Sequence, residues 1–331
     1  MKLGRLALSA AGAAALCACG PRTDAAPQPS RSNGPQMSFP LACTIGSGCE
    51  VQHYVDVDPG PGVRDYHGGR RTYDGHNGVD IRIADMAAQR AGVAVLAAAP
   101  GRVARLRDGV PDVSIRSPGA PGVEGKECGD GIVIDHGDGW ETQYCHLAQG
   151  SLSVKVGDVV SAGQPIARVG LSGQTEFAHL HLSVRHNGAV VDPFRPTQGA
   201  APLWAPQVRE ELAYKAGAVL NAGFAAGPVT MQAVEDGAVP YADATSPAVV
   251  AFVRAIELEA GDEIQLVLKG PDGAVLAQTR TPPLDRDKAQ YLQFVGKKRP
   301  PQGWPPGTYR AECTIWRAGE AVVRRSFEAQ F

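Results

Sequence analysis

The sequence predicts an all-β chain: an antiparallel β-sheet domain, then a short helix, then a C-terminal β-sandwich. Three observations lead there. Gly (40) and Pro (26) are both abundant among the 331 residues, which favours a turn-rich fold over a helical bundle. Short apolar or alternating runs recur between Gly, Pro and Asn turn signals along most of the chain. One stretch, 207–222, instead carries Val208, Leu212, Ala216 and Leu220 at every fourth position, as an amphipathic helix would. The length suits about two domains of ~100–200 residues each.

The N-terminus has the order of an export signal. Met1–Arg5 is a short basic head, 6–16 is an Ala- and Leu-rich run, and Leu16-Cys17-Ala18-Cys19-Gly20 follows. The run is too short to span a bilayer, which takes ~20 apolar residues. Leu-x-Ala-Cys resembles a bacterial lipobox, which implies cleavage before Cys19 and a lipid on its thiol. Cys17 at the second position is a mild departure; were it the acceptor, only the processing point would move. A plain secretory signal with incidental cysteines is the other reading. Gly20 stands where an Asp often favours inner-membrane retention, so the expected location is the periplasmic face of the envelope, anchored to the outer rather than the inner membrane.

The expected organisation is a signal at 1–18, a flexible Pro- and Ser-rich linker at 19–38, a β domain at 39–202, a helical connector at 203–226 and a β-sandwich at 227–331. In the first domain, strands are expected at 79–83, 93–96, 101–106, 131–134, 141–145, 151–156, 165–169, 179–184 and 189–191. His136-Gly137-Asp138-Gly139 makes a strong hairpin signal. Residues 107–127, rich in Pro and Gly, read as a long surface loop. In the second domain, strands are expected at 264–268, 274–278 and 291–295. A further pair, 309–316 and 321–327, flanks Arg317-Ala318-Gly319-Glu320. About seven short strands over roughly 100 residues suit a sandwich.

The net charge of −2 gives no electrostatic case for nucleic acid or for an anionic membrane surface. The cysteines suit an oxidising compartment. Cys43 and Cys49 are close in sequence, and Cys128 and Cys145 flank the hairpin. The simplest pairing is therefore two local disulfides with Cys313 left over. No cysteine pair has the two-residue spacing of a zinc knuckle.

Three segments carry chemistry: His76-Asn77-Gly78-Val79-Asp80, Tyr144-Cys145-His146-Leu147 and His179-Leu180-His181. Hydrolytic zinc sites commonly take three His or Asp ligands and keep a fourth position for water. Residues two apart on a strand share a face, so any strand with two histidines offers such a pair, and each motif alone is weak. Together in one β domain they point to a metal centre. The other four histidines, His53, His67, His136 and His186, stand in turn-like or polar surroundings and read as surface residues.

The flanking residues sharpen this. Asp74 through Ile81, Ile132 through Leu147, the turn Val156-Gly157-Asp158-Val159-Val160-Ser161-Ala162-Gly163-Gln164-Pro165-Ile166, His179 through Leu182, and Val191-Asp192-Pro193 resemble, in order, the motifs of the lysostaphin-type (LytM-like) zinc peptidoglycan endopeptidases. The resemblance covers roughly 45–195 and marks 39–202 as the peptidase domain. It implies one Zn²⁺ per chain on His76, Asp80 and His181, a catalytic pair His146 and His179, and the cross-linking peptides of the cell wall as substrate. His179 shares a strand face with His181 and is the candidate general base. His146 would hold the water or the developing oxyanion, and the two roles are exchangeable at this stage. A Cys128–Cys145 bond would brace the strand presenting His146.

The same family implies a second reading, a regulator of other wall hydrolases, since some members have lost metal ligands; all five polar positions are present here. The turn at 157–166 also resembles biotinyl or lipoyl carriers, but those need a Lys at the hairpin tip, and Lys155 lies before the turn. The C-terminal sandwich has no His cluster or paired carboxylates. Its expected role is docking, to a cell-envelope protein partner, or shaping the substrate groove.

Overall fold

The computed structural model describes residues 1, 34–197 and 199–331. The export signal, Cys19 and most of the linker lie outside the described residues. The last linker positions are part of the fold: Met37 is fully buried and pairs its backbone with Leu203 and Ala205, so the expected flexible segment ends before 38.

The first layer contains β1 (Cys49–His53), β2 (Val79–Ile83), α1 (Met86–Ala91), β3 (Ala94–Leu96), β4 (Gly101–Arg107), β5 (Asp130–Gly137), β6 (Trp140–Leu147), β7 (Val159–Val160), β8 (Pro165–Arg168), β9 (His179–His186) and β10 (Ala189–Val191). Eight of these strands form one sheet in the order β1-β2-β9-β6-β5-β4-β7, with β10 added on β9; β3 and β8 pair separately. The pairings are antiparallel, as the hairpin signals predict. Ile81, Ile132, Ile134, Leu180 and Leu182 put the apolar face into one core, each fully buried. No strand forms over 151–156, where the expectation was one; β4 runs directly into the long loop, which carries no helix or strand until β5.

The second layer contains α2 (Pro206–Arg209), β11 (Ala218–Ala225), α3 (Met231–Asp236), β12 (Ala248–Leu258), β13 (Glu263–Lys269), β14 (Val275–Arg280), β15 (Lys288–Lys298), β16 (Thr308–Arg317) and β17 (Glu320–Gln330). Sheets β11-β12-β15 and β14-β13-β16-β17 enclose a second core. The period of two is explicit in β13, where Ile264, Leu266 and Leu268 point inward between half-buried Glu263, Gln265, Val267 and Lys269.

The expected connector helix is corrected: the helix spans four residues, and 218–225 is an edge strand paired with β12. A spacing of four is even, so it satisfies a strand's period of two as well as it satisfies a helix turn. Cross-strand pairing along β12 decides between them. Gly217, at φ 159°, breaks any helix just before the strand.

Residues from 34 on form one compact unit. At the seam between the layers lies Arg254 of β12, with no exposed surface. Its guanidinium bonds to Glu235 of α3 and to the Ala84 carbonyl just past β2, and its Nε donates to Asn221 at 2.8 Å. Arg82 of β2 reaches the same Glu235 at 2.8 Å. Lys215 and Glu50 add a second link at 2.7 Å.

Candidate metal centre

Strand register assembles the centre. Asp80 on β2 lies opposite His181 on β9, and Cys145 on β6 lies opposite His181 from the other side. Both neighbours of the middle strand therefore deliver their motifs to one end of the sheet. His76, before β2, arrives through a turn in which its backbone N–H bonds to the Tyr73 carbonyl.

His76, Asp80 and His181 converge. His76 Nε2 lies 3.2 Å from Asp80 Oδ1 and 3.2 Å from His181 Nδ1, and His181 Nδ1 lies 2.9 Å from Asp80 Oδ1. The remaining ring nitrogens fix the tautomers. His76 Nδ1 donates to the Tyr54 carbonyl at 2.6 Å, so its Nε2 is a bare lone pair. His181 Nε2 lies 3.1 Å from Asn77 Oδ1, which leaves its Nδ1 bare. Two lone pairs and a carboxylate oxygen facing one another repel unless a cation sits among them. The edges of 2.9–3.2 Å also approach the ~3.3 Å expected between ligands of a tetrahedral ion with bonds of ~2.0–2.1 Å. The donor set and its spacing fit zinc.

His179 and His146 stand beside this triangle. His179 Nδ1 donates to the Phe177 carbonyl at 2.9 Å, and its Nε2 lies 3.4 Å from Asp80 Oδ1. His146 Nδ1 donates to the Ser172 carbonyl at 2.8 Å, and the two rings are 4.7 Å apart. His179 thus turns its Nε2 toward the centre, and the His146 ring lies 6.0 Å from that of His181. Burial, then the neighbouring His179 and His181, hold His146 well below the usual imidazole range, so its ring is neutral. Burial alone would raise Asp80, but His179 and His76 reverse this and keep it well below the usual carboxylate range. Disulfides join Cys43 to Cys49 and Cys128 to Cys145. The second sits directly against His146, whose backbone N–H bonds to the Cys128 carbonyl at 2.8 Å.

Two of the histidines expected on the surface are corrected. His136 is buried, bonded to the Pro100 carbonyl and to Thr142 Oγ1. His53 Nδ1 bonds to Asp80 Oδ2 at 2.9 Å, and its ring meets Tyr73 edge-on. Burial works against a charge on His53, but Asp80 and Glu257 outweigh it and push its pKa up to about 9. His67 is exposed and stacks on Tyr214, and His186 stacks on Trp140. Tyr73, stacked on His76 at 4.4 Å and half exposed, belongs to the rim of the centre and had no signal in the sequence.

A groove of about 1150 Å³ runs beside the centre. Arg82 of β2, Phe177 before β9, Ser114 of the long loop, and Met231, Glu235 and Gln290 of the second layer line it. Phe177 is 4.9 Å from His179, ring to ring, and so joins groove to centre.

Gly78 is required by close approach. A Cβ there would lie 2.5 Å from His181 Nε2 and 2.8 Å from the Leu182 carbonyl, and that backbone cannot yield. Gly78→Ala is expected to push the His181 ring aside and weaken divalent-metal binding by about 10-fold or more. Metal content after dialysis reads this; unchanged occupancy would mean that β2 shifts instead.

The antiparallel sheet thus presents a His–Asp–His cluster that could hold a metal ion. Residues 74–193 match the sequence profile of peptidase family M23, so the chain carries a LytM-like peptidase domain. Over 112 residues the chain is 30% identical to the cell division protein DipM of Caulobacter vibrioides (strain NA1000 / CB15N), covering 34% of this chain and 16% of that protein's length. Among solved structures, a zinc-containing peptidase from Vibrio cholerae matches with 24% identity over 44% of this chain and 39% of that chain, TM-score 0.29. The catalytic domain of the antimicrobial peptidase lysostaphin from Staphylococcus simulans matches with 24% identity over 43% of this chain and 85% of that chain, TM-score 0.28.

Proposed function

We propose that this protein is a zinc-dependent endopeptidase that hydrolyses the peptide cross-links of bacterial peptidoglycan. It works at the periplasmic face of the envelope, held to the outer membrane by a lipid on Cys19. The observation that carries the reading is the convergence of three acceptor atoms, from His76, Asp80 and His181, beside the imidazoles of His179 and His146.

Zinc bound there would supply a Lewis acid and bring the pKa of its water toward ~7. The chain's own residues do the rest. His179 Nε2 takes the proton from the attacking water, because its Nδ1–H is already committed to the Phe177 carbonyl. His146, kept neutral by burial, is the poorer resting place for that proton. Its Nε2 edge orients the water before attack, and the His179 proton then passes to the leaving amine.

The test is mass spectrometry of cross-linked peptidoglycan treated with the zinc-loaded protein, beside His179→Ala. Cross-linked dimers are expected to disappear with the parent protein only, and the fragment masses identify the bond. Intact dimers with zinc bound would overturn the enzyme reading in favour of a regulator of other wall hydrolases.

A further inference from the structure

We propose that the second layer positions the metal ligand Asp80 through a relay, Glu257 to His53 to Asp80; this rests on the metal-centre reading above. Asp80 presents Oδ1 to the three imidazoles and Oδ2 to His53, whose Nδ1 donates at 2.9 Å. The other nitrogen of His53 faces Glu257 Oε1 of β12 at 3.5 Å. His53 is hydrogen-bonded to Asp80 at one end, and the Glu257 carboxylate stands at ion-pair distance from its other nitrogen, so the ring is held from both ends. The held ring fixes the rotation of the Asp80 carboxylate, and with it the direction of the Oδ1 lone pair.

The Glu257 side chain is about 10% exposed, and its Oε1 is buried with no hydrogen-bond partner. Its backbone is left-handed, at φ 57°. Five described non-glycine residues have such a φ. Asp138, Asn187 and Ala318 lie in hairpin turns, where it is ordinary; His146 and Glu257 lie inside strands. One of those two faces the metal centre, and the other reaches it through His53. A buried carboxylate oxygen without a hydrogen bond, on a left-handed backbone, lowers stability on both counts, and such strain gathers where geometry serves function. Both relay residues lie outside the 74–193 match.

The experiment titrates Zn²⁺ into the metal-free full chain against a chromogenic chelator and records the visible spectrum of the Co²⁺ form. Glu257→Gln and His53→Gln are expected to raise the zinc dissociation constant by about 10-fold and to change the Co²⁺ spectrum. Glu257→Gly separates positioning from packing. It relieves the left-handed backbone, so the metal-free protein should melt no lower than the parent while zinc binds more weakly. Zinc affinity and Co²⁺ spectra of Glu257→Gln and Glu257→Gly equal to the parent's would overturn the relay and leave the metal centre standing. A parent chain that binds no zinc would overturn both.

Discussion

Asp80→Ala is expected to lose zinc and to lower the rate of cross-link hydrolysis by on the order of 10⁴-fold or more. Asp80 is the one anionic member of the triangle, and the other two members are imidazoles with bare nitrogens. Without it, two neutral ligands remain, and neither charge nor geometry holds a divalent ion firmly. The loss also spreads outward. Asp80 Oδ2 is the acceptor for His53, and Asp80 Oδ1 is within 3.4 Å of His179 Nε2. Elemental analysis of the purified variant, with dimer consumption measured at saturating zinc, checks the two parts separately. Retained zinc with lost activity would move Asp80 from ligand to orienting residue; retained activity would remove the metal from the mechanism.

Arg254→Met is expected to destabilise the protein by about 3–5 kcal/mol without touching the centre directly. Arg254 is fully buried, and its guanidinium holds Glu235, Asn221 and the Ala84 carbonyl together. Burial, and after it the neighbouring Arg82, pull its pKa down to about 10, so it remains charged at neutral pH. Met keeps the length of the stem but abandons three partly buried acceptors at the seam between the layers. At roughly 2–4 °C per kcal/mol for a chain of this order of size, the melting temperature should fall by on the order of 10 °C. A transition within about 2 °C of the parent's would mean that the ion pair only breaks even with its desolvation.

The five polar residues of the centre were legible because their chemistry demands particular side chains, and because β2, β6 and β9 each carry their motif within a few residues. What orients them was not. The carbonyls of Tyr54, Phe177 and Ser172, which set three tautomers, are backbone atoms that any residue supplies. His53 read as a surface residue because its two partners lie on β2 and β12, and only the folded sheets bring them to one ring. Alternation made β13 and β16 plain, whereas 207–222 misled because its fourfold spacing is compatible with both periods.

Cys313 is the one free cysteine among the described residues, and it stands inside the sandwich with 1% of its surface exposed. Burial pushes its thiol up to about 12, so the folded layer offers an alkylating reagent neither access nor thiolate. Its labelling therefore waits for the sandwich to open. Under conditions where reclosing outruns the reagent, the labelling rate is a direct gauge of that layer's own opening equilibrium, read apart from the fate of the metal.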